Sequence, residues 1–320
     1  DQVEASRDLV QIGADGSDIG LAAVRAMRSY HNVRDTQGGA LSEKVTSVLD
    51  AVEPHVGIIE ENLAAVERRR RSMPEDGLLG PLGSALGDVD YHIEELRARV
   101  EDYRRGARLA PELLGYGAAQ TYLVLAHDNT EMLGSGGFIL VYGLLTVDRG
   151  RLERLFFDDV HGIYFDWQER TGEYIEPPRP LKAYLLRDWS MGLGEASWWP
   201  DFPTVAEEAI ELYRQETGSE EPIDGVIGIN FYTLEKLLEV TGPVTVEEYG
   251  LTVDSQNVTE QTLIITHPDA LRPWESHRYD FTAYLAQDVI DRALAIGSSR
   301  WAPMLTALHT LGQEKNLLLY

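Results

Sequence analysis

The sequence predicts a mixed α/β protein, a mixed sheet layered with helices and preceded by an N-terminal helical bundle or stalk. Three observations carry this. Apolar residues recur at three- and four-residue spacing through the first 110 residues, the period of helices that bury one face. From Thr121 the pattern switches to short β-rich runs bounded by turn residues. Beyond residue 200, helical and strand patterns alternate, which argues for helices layered on a sheet.

The elements follow in chain order. "LAAVRAMRSY", "LSEKVTSVLDAVEPHVGIIEENLAAVERRRR" and "LGDVDYHIEELRARVEDYRRGARL" give three or four helices, separated at "DTQGG" and "EDGLLGPLGS". Their apolar stripes read as core, and residues 1–110 are assigned to the bundle or stalk. The basic run between Glu67 and Ser72 reads as a solvated helix end favoured by the helix dipole. Residues 111–320 are assigned to an α/β/α domain. "TYLVLA", "FILVYGLLTV" and "LERLFF" read as three strands. Residues 204–217 form an amphipathic helix with Val205, Ala209, Leu212 and Tyr213 on one face. Thr204 is its expected N-cap, with Glu207 completing a capping box and Gly218 as the stop. "DGVIGINF", "YTLEKLLEVTG" and "GPVTVEEYG" then read as strand, helix and strand. Two helices are expected within residues 278–311, and "NLLLY" reads as a final strand.

Composition excludes several classes of function. There are 53 acidic residues against 28 basic ones, a net charge of −25. Such a surface repels nucleic acid, so no nucleic-acid partner is expected. Cysteine is absent, which removes disulfides, thiol nucleophiles and thiolate-bound metals. No run of apolar residues is long enough to span a bilayer. The charged start "DQVEASRDLV" reads as the interior of a longer protein, leaving a membrane anchor outside this stretch open. The apolar ending is likewise expected to continue. The histidines, among them His127, His161, His267, His277 and His309, are scattered, with no His-Glu-x-x-His pair for zinc. No Gly-x-Ser-x-Gly elbow appears either.

The most informative feature is the polar, glycine-rich stretch between the first two strands, Asp128 to Gly137. A connection that long between core strands is often functional. Gly134, Gly136 and Gly137 permit close backbone approach to a ligand, and Asn129 supplies a polar contact beside them. Asp128, Glu131, Asp158, Asp159 and Asp201 are carboxylates next to strand or helix ends, a hard-oxygen set that suits Mg²⁺ bridging phosphate oxygens. Asp128, Glu131 and Asp158 are the expected metal ligands. Arg187 is the preferred phosphate-binding cation, because it lies near the aromatic segment "SWWPDFP". Trp198 and Trp199 in that segment are candidates to stack a sugar or lipid.

Three ordered motifs carry a resemblance. "TYLVLAHDNTEMLGSGGFILVYGLLTVDRGRLE", "SWWPDFPTVAEEAIELY" and "IDGVIGINFYTLEKLLEVTGPVTVEEYGLTVDSQNV" resemble the bacterial envelope proteins of the DUF4012 family over roughly residues 110–320. "DGVIGINFYTLEKLLEVTGPVTV" is more distantly similar to LytR-CpsA-Psr (LCP) proteins, which move glycopolymers from polyprenyl-pyrophosphate carriers to the cell wall. The resemblance implies an LCP-like α/β/α fold, Mg²⁺, a polyprenyl-pyrophosphate-linked glycan or cell-wall polymer as partner, and an extracytoplasmic place in the envelope. It puts the 128–137 loop at the substrate mouth and Asp158 and Asp159 where those enzymes carry an Arg-Asp pair; Asp159, Asp201 and Arg187 are the expected catalytic residues. The sequence departs from those patterns at Leu133, where the family carries arginine, and at Glu195 and Ser197, where it carries aspartate and asparagine. Asp158 stands where the phosphotransferases carry an arginine. Two readings follow: a glycopolymer phosphotransferase, or a non-catalytic scaffold or glycan-binding protein that kept the fold without the arginine clamp. A glycosidase pairing Asp159 with Asp201 stays open as well, since the spacing it needs is spatial.

Overall fold

The computed structural model describes residues 2–34, 41–73, 80–266, 280–296 and 300–320. His267 and His277 lie outside the described residues. The chain divides into two compact units, one of residues 1–118 with 149–151 and the other of residues 119–148 with 152–320.

The first unit contains three long helices, α1 (Gln2–Arg34), α2 (Leu41–Ser72) and α3 (Gly80–Leu113). Ala5 and Ile12 of α1 pack with Leu63 and Val66 of α2 and with Leu86 and Ile93 of α3, as the apolar stripes require. The basic run closes α2, where the dipole favours it. It is more than a solvated end, however. Arg69 pairs with Asp15 of α1, and Arg70 reaches Asp90 of α3 at 2.7 Å.

The second unit is a mixed sheet with helices on both faces. β1 (Gln120–Asp128), β2 (Phe138–Asp148), β3 (Arg151–Asp159), β4 (Gly225–Asn230) and β7 (Leu317–Leu319) lie in the order β3-β2-β1-β4-β7. β1 runs antiparallel to β2 and parallel to β4, while β7 is antiparallel to β4. β5 (Val244–Val246) and β6 (Leu251–Val253) form a separate two-stranded ribbon. Arg149 and Gly150, both at positive φ, turn the chain from β2 into β3. Two such residues are what a tight hairpin turn demands.

β1 is a continuous apolar run because both its faces are covered. Leu123 and Leu125 join the core beneath α4 (Val160–Thr171) and α6 (Phe202–Thr217). Val124 and Ala126 point the other way, into the core shared with α7 (Phe231–Thr241) and α9 (Asp280–Leu294). Between α4 and α6 the chain makes a short turn α5 (Arg179–Leu181), a π turn at Lys182–Leu186 and a 3₁₀ turn at Leu193–Trp198. α8 (Val258–Thr266) and α10 (Trp301–Gln313) complete the helices named here.

One helix start differs from expectation. α6 begins at Phe202, and Asp201 is its N-cap, accepting the Thr204 N–H at 3.2 Å and the Thr204 hydroxyl at 2.8 Å. Pro203 sits in the first turn, where a missing N–H costs nothing. Glu207 therefore closes no capping box; its carboxylate accepts the Tyr320 hydroxyl at 2.8 Å. Gly218 ends the helix at φ 70°, its N–H bonded to the Arg214 carbonyl.

Candidate functional site

Four of the carboxylates singled out in the sequence, Asp128, Asp158, Asp159 and Asp201, accept hydrogen bonds from the local backbone. Asp128 is the last residue of β1, fully buried and paired with Phe138, so the loop proper runs from 129 to 137. Its Oδ1 accepts the Thr130 N–H at 2.7 Å and the Thr130 hydroxyl at 2.6 Å, while Oδ2 is buried with no hydrogen-bond partner. Asp159 is also fully buried and N-caps α4, accepting the His161 N–H at 2.7 Å. Asp158 is exposed; it accepts the Asp159 N–H at 2.8 Å and the Tyr142 hydroxyl at 3.4 Å. Among the described residues no three His, Asp or Glu side chains form a group able to hold a metal ion. Asp128, Glu131 and Asp158 thus form no such group.

The loop is a strap across a neighbouring turn. Ser135 N–H bonds the Ser197 carbonyl at 3.1 Å. A Cβ on Gly134 would collide with the Trp198 carbonyl, and one on Gly137 with the Asp128 carbonyl. The space these glycines open is filled by the protein's own backbone, which explains their presence without a ligand. Gly136, at φ 117°, has nothing within 4 Å of where its Cβ would lie. Asn129 is exposed in the same loop. Trp198 and Trp199 are half-buried and pack on the core under α6, and the Trp199 indole N–H donates to Glu208. Asn129, the glycines, both tryptophans and Asp201 therefore belong to one neighbourhood. Arg187 is exposed and ends the π turn at φ 55°, with its N–H on the Lys182 carbonyl.

Beside this strap lies a cavity of about 240 Å³ that none of those residues lines. It is bounded by Phe138 at the start of β2, by His161, Tyr164 and Phe165 on α4, and by the 185–195 segment, including Trp189 and Glu195. The rings follow one another around the wall. Phe138 to His161 is 6.0 Å between centroids, His161 to Phe165 6.1 Å, Tyr164 to Phe165 5.4 Å and Phe165 to Trp189 6.3 Å. Trp189 stays partly exposed at 45%.

Two acids stand here, and among the described residues no cationic side chain is paired with either. Glu195 opens the 3₁₀ turn, its carboxylate accepting the Gly192 N–H at 3.0 Å, and enclosure pushes its pKa up to about 7. Glu216 of α6 is 1% exposed behind Gly192. Burial pushes its pKa up to about 8, and the nearby Glu195 adds to this, although its Oε1 accepts the Leu193 N–H at 2.7 Å. Glu216 Oε2 is buried with no hydrogen-bond partner. Tyr164, whose hydroxyl donates to the Ser190 carbonyl at 3.3 Å, is raised to about 12, by burial first and then by these two acids.

Residues 118–264 match the model of a family described as "Protein of unknown function (DUF4012)". That segment belongs to the DUF4012 family. The chain is similar to protein gbs0355 from Streptococcus agalactiae at 14% identity, over 66% of this chain and 70% of that one, with a TM-score of 0.37. It is also similar to the Lin1025 protein from Listeria innocua at 10% identity, over 58% of this chain and 80% of that one, with a TM-score of 0.30. No curated protein matches the chain. Within the DUF4012 segment, two of the departing positions frame the cavity and its strap. Glu195 forms cavity wall, and Ser197, fully buried, supplies the carbonyl that holds Ser135. Leu133 lies half-buried in the strap itself.

The cavity residues were not assembled from the sequence. One signal was present: Glu216 continues the 205, 209, 212 stripe of α6, placing a carboxylic acid on an apolar face.

Proposed function

We propose that the DUF4012 segment is a ligand-binding module of the bacterial cell envelope, extracytoplasmic, that holds a glycan or cell-wall polymer in the aromatic cavity without transforming it. The observation that carries this reading is the lining. Phe138, Tyr164, Phe165 and Trp189 offer faces on which a sugar ring stacks, and neither arginine nor lysine is among the lining residues. A pyrophosphate clamp needs such cations, which forked hydrogen bonds make effective. The resemblance to envelope proteins supports the location. Among the described residues no helix is long and apolar enough to cross a membrane. Calorimetric titration of the chain with short β-linked N-acetylglucosamine oligomers tests the reading. Binding weakened by Trp189→Ala is expected; no binding by these or other cell-wall saccharides overturns it.

A second reading is the Mg²⁺-dependent transfer of a glycopolymer from a polyprenyl-pyrophosphate carrier. It is favoured by the LCP resemblance and by Asp128 Oδ2, a buried carboxylate oxygen without a partner at the end of β1. Titration with farnesyl pyrophosphate in the presence and absence of Mg²⁺ separates the two: metal-dependent binding lost in Asp128→Asn supports transfer, and its absence supports the binding module.

A further inference from the structure

The aromatic cavity contains more than a surface for sugar rings. Five rings line it in succession, and among them stands one acid, Glu195, whose hydrogen bonds come from backbone N–H groups rather than from a cationic side chain. Behind Gly192 a second acid, Glu216, keeps a buried oxygen without a partner. The two acids are enclosed side by side, burial opposes the ionisation of each, and no cationic side chain contributes to the shift of either. A cavity for an anion would repel its ligand. A positively charged group suits both rings and acids: the ring faces attract it by their quadrupoles, and its charge supplies the counter-ion the acids lack.

Resting on the binding-module reading above, we infer that the group seated in this cavity is an organic cation, an ammonium or quaternary ammonium substituent carried by the envelope glycan. The volume of about 240 Å³ admits such a head group together with part of the unit that bears it. Trp189, partly exposed, stands where the carrier would leave the cavity. Glu195 is the charge partner; Glu216, one layer back and held protonated up to about pH 8 by burial, supports it by holding the Leu193 N–H of the same wall through Oε1.

The groups facing Glu195 set the pH behaviour. α4 contributes His161 and Tyr164, α6 contributes Glu216, and the segment around the 3₁₀ turn contributes backbone N–H groups. Protonated Glu195 has no charge to offer a cationic ligand, which weakens binding in acid.

The test uses choline and its neutral isostere dimethylbutanol as probes, titrated into the chain by calorimetry alongside an N-acetylglucosamine oligomer. Choline is expected to bind at least about tenfold more tightly than the isostere, the scale of a desolvated cation–π contact. Its affinity is expected to rise between about pH 5 and about pH 9, because its charge is permanent and only the protein titrates. Glu195→Gln keeps an acceptor for the Gly192 N–H and removes the charge, and it is expected to abolish the preference for choline. Trp189→Ala alters a partly exposed ring and is expected to weaken choline binding as well. Equal binding of the two probes overturns the inference, as does choline binding that survives both substitutions. Binding of the oligomer without choline overturns the charge but leaves the binding module standing; failure of all three ligands overturns both.

Discussion

Glu216 gives the sharpest expectation for stability. An unfolded glutamate titrates near 4.5, whereas burial holds the folded one up at about 8. The folded state therefore binds this proton more tightly than the unfolded state. Its contribution to stability is fully present below about pH 4.5 and is lost as the pH rises through about 8. At about 1.4 kcal/mol per tenfold change in proton affinity, the full loss is about 5 kcal/mol, an upper bound that relaxation and water entry reduce. Glu216→Gln retains an acceptor for the Leu193 N–H and cannot ionise. It should stabilise the second unit by about 2–4 kcal/mol at about pH 9 and change it little at about pH 5. The assay is urea unfolding followed by tryptophan fluorescence. All six tryptophans lie beyond residue 160, so the signal reports on the second unit. Wild type and variant with the same dependence of stability on pH would refute the buried-acid argument.

Further expectations are more local. Asp201→Ala removes the N-cap of α6 and should cost about 1 kcal/mol in the same assay, with Asp201→Asn retaining most of the stability. Asp159→Ala should behave similarly at α4, with Asp159→Asn preserving the cap; a large loss of ligand binding in Asp159→Asn at unchanged stability would show a role beyond capping. Gly134→Ala drives a methyl into the Trp198 carbonyl and should destabilise by more than about 1 kcal/mol, whereas Gly83→Ala, on a helix with open space around it, should not destabilise. Arg104→Ala breaks part-exposed ion pairs with Glu53 and Glu60 and should cost no more than about 1 kcal/mol, read by circular dichroism of the helical unit.

The strands were legible because burial on both faces leaves unbroken apolar runs such as "TYLVLA", and α6 was legible because it buries a single stripe. Its true cap was not read: Asp201 and Thr204 are both good cap residues, and the choice between them rests on Pro203 entering the first turn. The glycines of the strap were read as room for a ligand. Sequence cannot say whether the atoms that fill the place of a Cβ belong to a ligand or, as at Gly134 and Gly137, to the chain. The cavity was illegible for another reason. Its lining comes from residue 138, from 160–165 and from 185–195, and each ring alone is an ordinary core residue. Only the fold shows that they face one space with two acids beside it.

The central claim, that ligands enter the aromatic cavity and not the 129–137 strap, is tested most directly by mapping amide and indole chemical shifts during titration with an N-acetylglucosamine oligomer, and then with farnesyl pyrophosphate and Mg²⁺. The account predicts that the oligomer moves the signals of Gly192, Gly194 and the Trp189 indole and leaves Asn129 and Gly136 unmoved. Perturbation confined to residues 128–137 and 158–159, appearing only with the pyrophosphate and Mg²⁺, would contradict it.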